Sequence, residues 1–258
     1  MEHITLCLEP CARGQILPLL PTLHVGISGH YLTSPCSLLR LGTGFCLHDD
    51  EAHALLQVTG KVWLPGSGSH AIFCPLLQAL EDLPQGIQTL SVRKNGYSLA
   101  WVTLSDKGAC GLREDLSGPV IADAVAAVLP LAHSQGFLLP DEPQQLRALL
   151  TDLALSQDYD LICTTGGTGL SPRDQTPQVT ASLLDMPLPG MVQAMLDASL
   201  KKTPYAVLSR ACAGTLGQSI ILNLPGSRKA VAENLAAVLP ALPHALAKLQ
   251  GDTTDCGN

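Results

Sequence analysis

The 258-residue sequence is poor in charge, with 14% Asp, Glu, Lys and Arg, and poorer still in aromatics, at 3%. Apolar residues make up 46%. So little charge beside so much to bury excludes a solvated disordered chain. No basic run occurs, and 15 Lys and Arg against 22 Asp and Glu leave a net charge of −7. A duplex-binding face built on phosphate neutralisation is thereby excluded, and any anionic ligand must be held locally. An uninterrupted run of about 18 apolar residues is missing, and Met1-Glu2-His3 carries an acid where a secretory segment would carry Lys or Arg. The expected location is the cytoplasm. Cys-x-x-Cys and His-Glu-x-x-His patterns are absent too, so zinc ligation of the usual spacing is not encoded, although Cys7, Cys11, His3, His24, His30, His48, His53 and His70 crowd the first half. Nine cysteines, an odd number, without an export signal predict reduced thiols rather than a disulfide framework.

The length allows one or two domains of roughly 100–200 residues each, and two is the expectation. Composition changes near Gly96. Before it, Gly and Pro punctuate short apolar runs: Leu17-Pro18-Leu19-Leu20-Pro21, Gly42-Thr43-Gly44 and Leu64-Pro65-Gly66-Ser67-Gly68-Ser69. This predicts a small β-rich domain over residues 1–96, with strands at Ala54 to Val58 and Ile87 to Val92, and a helical turn or two between Ala71 and Leu83. Residues 97–258 alternate strand, loop and helix. Strands are expected at Leu99 to Leu104, Phe137 to Leu139, Asp160 to Thr164, Tyr205 to Leu208 and Ser219 to Leu222. Helices are expected from Gly118 to Val128, from Asp141-Glu142-Pro143 onward with Leu146, Leu149, Leu150 and Leu153 on one face, from Met191 to Leu200, and from Ser227 to Val238, where Pro240 ends the last. The pattern predicts an α/β fold with a doubly wound, mostly parallel sheet covered on both faces.

In such a sheet the ligand crevice lies beyond the carboxyl ends of the strands. Four loops there are rich in small and ionisable residues: Ser105-Asp106-Lys107-Gly108, Leu139-Pro140-Asp141-Glu142, Thr164-Thr165-Gly166-Gly167-Thr168-Gly169 and Asn223-Leu224-Pro225-Gly226-Ser227. The glycine cluster is either a tight turn that needs positive φ or a bend whose bare backbone approaches an anion. It is neither a Walker A loop nor a dinucleotide G-x-G-x-x-G fingerprint. Ser171-Pro172-Arg173-Asp174-Gln175-Thr176-Pro177 favours the anion, with Arg173 able to pair with phosphate oxygens and Asp174 able to hold a cation. Asp141, Asp106 and Asp115 each have a plainer reading as a helix cap or loop residue. Gathered beyond several strands, they form the carboxylate set that holds Mg²⁺ on a nucleotide. Lys107, Arg113, Lys201, Lys202, Arg210, Arg228 and Lys229 add positive charge, each one singly a solvated surface residue.

Several blocks in fixed order carry a family resemblance: Ser105-Asp106 with Asp115-Leu116-Ser117-Gly118-Pro119; Thr164 to Gly169 with Ser171-Pro172-Arg173-Asp174 and Thr176-Pro177; Pro189-Gly190-Met191; and Leu208-Ser209-Arg210 through Ala213-Gly214 to Leu222-Asn223-Leu224-Pro225-Gly226-Ser227. From Leu99 to Leu249 the chain resembles the molybdopterin-binding MogA/MoaB family, which includes the G domain of gephyrin. The resemblance implies a domain that binds molybdopterin, ATP and Mg²⁺ and adenylylates the terminal phosphate of molybdopterin with release of pyrophosphate. It implies that Asp141 and Asp174 are the catalytic pair and place Mg²⁺. It further implies a phosphate cradle of Thr165, Gly166, Gly167, Thr168 and Gly169, and a nucleotide or pterin pocket drawing on Ser105, Asp106, Asp115, Ser117, Gly118, Ser171, Arg173, Thr176, Pro189, Gly190, Lys201, Ser209, Arg210, Gly214, Asn223, Pro225, Gly226 and Ser227. A homotrimer or hexamer, and a molybdenum-insertion enzyme as partner, are implied as well. Compact members of the family lack a counterpart of residues 1–96, whose Leu41-Gly42-Thr43-Gly44 and Leu55 to Gly60 faintly resemble a MOSC-type barrel. The alternatives are a non-catalytic molybdopterin-binding scaffold or sensor, an insertion enzyme of the MoeA kind, and a nicotinamide-nucleotide hydrolase of the CinA kind. About 95 leading residues are too few for the extra domains of the second, and Thr168 with Arg173-Asp174 fits the third less well.

Overall fold

Ile4, Leu6 and Leu8 are the buried positions of β1 (Glu2–Leu8), the period of two expected of a strand with one face inward. The computed structural model describes residues 2–24, 26–33, 41–66 and 70–253. Its chain divides into two compact units, Met1–Gly96 and Tyr97–Asn258. In the first, β1 is followed by β2 (Ile16–Leu20), β3 (His30–Leu32), β4 (Cys46–His48), β5 (Ala54–Pro65), β6 (Ala71–Ala79) and β7 (Gly86–Arg93). They close a barrel in the order β1-β3-β2-β6-β5-β4-β7. The seam pairs β1 with β7 antiparallel, Ile4 opposite Leu90. Closure leaves no edge strand among the described residues, and the barrel encloses an aliphatic core that includes Leu6, Leu19, Leu47, Leu56 and Leu77.

The stretch from Ala71 is a strand, not the helical turns expected. It pairs with β5 from Leu56↔Ala79 to Pro65↔Ala71. Pro75 is tolerated because β2 pairs only with Leu76 to Gln78, which leaves Pro75 unpaired on that side. Residues 67–69 of the Gly66-Ser67-Gly68-Ser69 stretch lie outside the described residues.

The second unit opens with β8 (Tyr97–Leu104) and α1 (Asp106–Ala109), then α2 (Gly118–Ala126), β9 (Leu131–Leu139), α3 (Pro143–Leu155), β10 (Leu161–Thr165), α4 (Thr176–Ala181), β11 (Met186–Pro187) and α5 (Pro189–Leu200). It ends with β12 (Ala213–Leu216), β13 (Ser219–Leu224), α6 (Arg228–Val238) and α7 (Leu242–Leu249). The six-stranded sheet runs β11-β12-β13-β10-β8-β9. β13, β10, β8 and β9 are parallel neighbours, whereas β12 and β11 add an antiparallel margin, so the sheet is mixed. Alternate strand residues feed two cores. Leu99, Cys163 and Leu222 pack with α2, α5, α6 and α7, while Ala100, Ile162 and Ile221 pack with α3 and α4. Helices therefore cover both faces.

Three further expectations change. Tyr205 to Leu208 is a 3-10 helix, Pro204–Leu208, because Thr203 caps it by accepting from the Tyr205 N–H at 3.3 Å and Pro204 occupies its first turn. Asp141 is not a helix cap. α3 starts at Pro143 behind Glu142, whose side chain makes no capping bond. Pro240 ends α6 but not the helical path, since it falls in the first turn of a 3-10 segment, Leu239–Ala241, that passes into α7. Arg228–Leu249 is in consequence long and apolar enough to cross a membrane by length and composition, with a mean hydropathy of 1.3. Its Val231, Leu235, Val238, Leu242 and Leu246 are instead buried in the core of this unit. The described cysteines, Cys7, Cys11, Cys46, Cys74, Cys110, Cys163 and Cys212, are all free, and complete burial pushes the Cys163 thiol up to about 12.

Two glycines make room for Trp101. A Cβ on Gly136 would sit 2.5 Å from the indole Cε2, and one on Gly118 would sit 2.2 Å from Nε1. Gly136→Ala should therefore destabilise the second unit by about 1–3 kcal/mol through overpacking, read by urea unfolding of a Trp63→Phe background in which Trp101 is the remaining indole. A second expectation concerns His30, which is buried in β3 and accepts the Glu9 N–H at Nδ1, 3.2 Å away. Burial lowers its pKa from 6.5 to about 4. The unfolded chain thus binds this proton more readily, so stability should be flat above about pH 6.5 and fall as pH drops toward 4. His30→Gln, which keeps an acceptor without titrating, should flatten that decline in a melting-temperature series.

Candidate active site

The parallel strands finish side by side, with Leu104 opposite Leu139, Thr103 opposite Thr165, and Thr165 opposite Leu224. All four loops named from the sequence thus open on one edge of the sheet. Between β10 and α4 the chain turns sharply at Gly166 (φ 101°) and Gly167 (φ 64°), a left-handed region that disfavours any side chain. Space demands glycine as well. A Cβ on Gly166 would lie 2.5 Å from the Leu104 carbonyl oxygen, and one on Gly167 would lie 2.2 Å from Thr176 Oγ1. The same bend draws in the two aspartates, since the Gly167 Cβ position is 3.6 Å from Asp141 Oδ1 and that of Gly169 is 2.9 Å from Asp174 Oδ2.

Asp141 and Asp106 are tied reciprocally. The Asp141 N–H donates to Asp106 Oδ1 at 3.0 Å, and the Asp106 N–H donates to Asp141 Oδ2 at 3.4 Å. Burial raises the Asp141 pKa first; the Asp106 and Asp174 charges raise it further, while the backbone bond at Asp106 and the Arg173 charge oppose them. Arg173 Nη2 reaches both Asp106 oxygens at 2.8 Å, and its Nη1 lies 3.4 Å from Glu142. The Asp106 carboxylate is the chief cause of its raised pKa. Asp174 accepts the Ser171 N–H at 2.9 Å. Arg210 does not face open solvent as a free cation: its Nε and Nη2 hold the Gly169 carbonyl at 2.9 and 2.6 Å, and Nη2 also donates to the Asp174 carbonyl.

Beside this cluster lies a cleft of about 470 Å³. Ser105, Asp115, Ser117, Thr165, Gly166, Gly226 and Ser227 line it, as do Arg113, Arg228 and Lys229. These three cations were legible only as scattered charge, although each adjoins a motif at a strand end. Asp115 shapes the wall, accepting from Thr103 Oγ1 at 2.7 Å and from the Ser117 and Gly118 N–H groups at 3.0 Å. Ser117 Oγ and Thr165 Oγ1 donate to the Gly226 and Pro225 carbonyls. A second hollow of about 270 Å³ borders Thr168, Gly169, Ser209 and Pro225. Thr176 lies with Asp141 and Arg173 along a shallow depression.

Other expected residues lie elsewhere. Asn223 is fully buried, donating to Thr164 and Thr180 hydroxyls. Gly214 lets the sheet margin pack, its Cβ position 2.5 Å from Leu184. Pro189 and Gly190 open α5, whereas Lys201 caps its far end beyond Ser199, a residue of the second hollow. Within this chain neither end of that set lines the main cleft.

The donor set suits Mg²⁺ in one respect. That ion takes one or two carboxylates and completes its shell with phosphate oxygens and water. Among the described residues no group of three or more His, Cys, Asp or Glu is arranged to hold a metal alone, so Asp141 and Asp174 would depend on a phosphate ligand to finish the site.

Residues 100–244 match the family described as "Probable molybdopterin binding domain". The chain is 40% identical over 154 residues to gephyrin of Dictyostelium discoideum, covering 56% of this chain but only 21% of that protein. It is 37% identical over 153 residues to the molybdopterin adenylyltransferase of Helicobacter pylori strain 26695, covering 58% of this chain and 86% of the relative. Among solved structures, the molybdopterin biosynthesis enzyme MoaB of Thermus thermophilus superposes with a TM-score of 0.55 at 44% identity, over 60% of this chain and 98% of that one. Motif order, strand-end geometry and coverage agree: the chain belongs to the molybdopterin-binding domain family, in its MogA/MoaB group.

Proposed function

We propose that residues 97–258 catalyse adenylylation of molybdopterin in molybdenum cofactor biosynthesis, making this protein a nucleotidyltransferase. The terminal phosphate of molybdopterin attacks the α-phosphorus of ATP, the bond to the β-phosphate bridging oxygen breaks, and pyrophosphate leaves. The observation that carries this reading is the placing of Asp141 and Asp174 against one glycine bend, beside a cleft with Arg113, Arg228 and Lys229 on its walls. The compact Helicobacter relative, named for that activity, supports it.

Chemistry of this type asks the protein for alignment and charge neutralisation rather than for a nucleophile. Asp141 and Asp174 would hold Mg²⁺, which supplies neutralisation of phosphate charge when bound. Gly166 and Gly167 bring bare backbone to the phosphates. The cations of the cleft would balance the two polyanions, and Asp115 fixes the Ser117-Gly118 turn that forms part of the wall. The reaction is proposed to run in the cytoplasm, in a homotrimer or hexamer, with its product passed to a molybdenum-insertion enzyme.

Asp174→Asn and Asp141→Asn should each lower pyrophosphate release from molybdopterin, ATP and Mg²⁺ by about 10²–10³-fold, a loss typical of removing one electrostatic group from a reacting centre. Nucleotide should still bind, as equilibrium dialysis with labelled ATP would report. A scaffold or sensor that binds molybdopterin without turnover would show no pyrophosphate release even in the unaltered protein. Residues 97–258 alone should keep the turnover of the full chain to within about tenfold (about 1.4 kcal/mol in barrier); a folded fragment that is inactive would assign the barrel a part in the chemistry.

A further inference from the structure

Sequence reasoning gives Arg173 to a phosphate, but its surroundings point elsewhere. Arg173 sits in the β10–α4 connection next to Asp174. Its guanidinium spans to Asp106, the first residue of α1 just beyond β8, 2.8 Å from each carboxylate oxygen, and to Glu142 at the start of α3, 3.4 Å away. Asp106 in turn accepts the Asp141 N–H at 3.0 Å and returns its own N–H to Asp141 Oδ2 at 3.4 Å. Three strand-end loops are thereby stitched together by one side chain. We propose that Arg173 is a positioning residue: through Asp106 it fixes Asp141 relative to Asp174, and it stays on the carboxylates instead of moving to a phosphate.

Charge argues the same way. Were Arg173 to leave for a substrate, Asp106 and Glu142 would face Asp141 and incoming polyanions without compensation. The cleft meanwhile has its own cations in Arg113, Arg228 and Lys229. Stability is not the purpose, because Arg173 and Asp106 are about half exposed and surface pairs of this kind contribute little. Geometry is, since the planar guanidinium sets Nη2 on Asp106 and Nη1 toward Glu142 in one fixed orientation, whereas Lys has a single nitrogen to share between them.

The inference rests on the function proposed above for its kinetic arm only, so two measurements on the full chain separate them. The first needs no substrate: amide hydrogen exchange at Asp141, whose N–H is held by Asp106. Exchange should speed up at least about tenfold in Arg173→Ala and in Asp106→Ala, the scale on which a lost hydrogen bond opens a local structure. Arg173→Lys should recover part of that protection. The second is the kinetics of pyrophosphate release. Arg173→Ala should lower kcat by about 10²-fold, the penalty for slight misplacement of reacting groups, with KM for ATP changed less than about threefold. Adding Asp106→Ala to Arg173→Ala should cost little more, because the two act as one unit. Unaltered exchange at Asp141 in Arg173→Ala would overturn the proposal. So would a rise in KM for ATP with kcat intact, the signature of a phosphate ligand, or multiplicative losses in the double variant. If the unaltered protein releases no pyrophosphate, the functional proposal falls, and the exchange result alone decides whether Arg173 positions Asp141.

Discussion

A bend that no side chain can enter governs this molecule. At Gly166 and Gly167 the backbone takes positive φ while passing within van der Waals reach of the Leu104 carbonyl and Thr176 Oγ1. Two independent reasons, conformation and space, thus converge on glycine, and either would suffice. Packed against the end of β8 and the start of α4, the glycine stretch has Asp141 beside Gly167 and Asp174 beside Gly169. Arg210 then holds the outgoing limb by two backbone carbonyls, at Gly169 and Asp174. A basic residue that the family resemblance counts among the nucleotide or pterin pocket is here a clamp on the glycine loop.

The polar interior below the bend serves the same end. Asn223 is fully buried on β13 and donates to Thr164 on β10 and Thr180 on α4. Thr165 Oγ1 reaches the Pro225 carbonyl at 2.7 Å, joining the next strand-end loop to its neighbour. Buried polar groups cost free energy unless partnered, and partnered ones fix geometry in a way that apolar packing does not. Apolar contacts on both faces of the sheet supply cohesion, while these directed bonds supply register at the edge where chemistry is expected.

Much of this was legible in the residue string. The α/β alternation, the four strand-end loops and the glycine motif all came from periodicity and spacing, since buried strands and amphipathic helices impose periods that a sequence must display. Errors cluster where two signals compete. Ala71 to Leu83 carries Pro75 and a run of apolar residues that suit a helical turn as well as a strand, and only pairing with β5 decides. Tyr205 to Leu208 is a short apolar run whose neighbours Thr203 and Pro204 make it a 3-10 helix. β9 extends back to Leu131, beyond the strand expected at Phe137 to Leu139, through His133, Ser134 and Gln135, whose polar side chains break the apolar pattern on this half-exposed strand at the sheet's edge. Asn223 and Gly214 were named as pocket residues because their motif is. The motif is real, but a string cannot say which of its members point inward to hold the others.

The distribution of charge around the bend follows from what each side must do. Asp106, Asp141, Glu142 and Asp174 outnumber the cations near them, Arg173 on Asp106 and Arg210 on the Asp174 carbonyl, a surplus of negative charge that would repel a phosphorylated substrate if nothing intervened. That surplus is useful only if a cation occupies it, and Mg²⁺ demands few protein oxygens and tolerates no crowded cage. Arg113, Arg228 and Lys229 line the cleft with Ser105 and Gly166, beside the carboxylates of Glu114 and Asp115, so that cations outnumber acids there where the cluster at Asp141 has the reverse balance. Sequence alone cannot reveal these two balances, because the acidic and basic residues interleave along the chain and are grouped only once the parallel strands align their ends. Folding groups them, and the function proposed above would bring a divalent ion and two phosphates to that sheet edge.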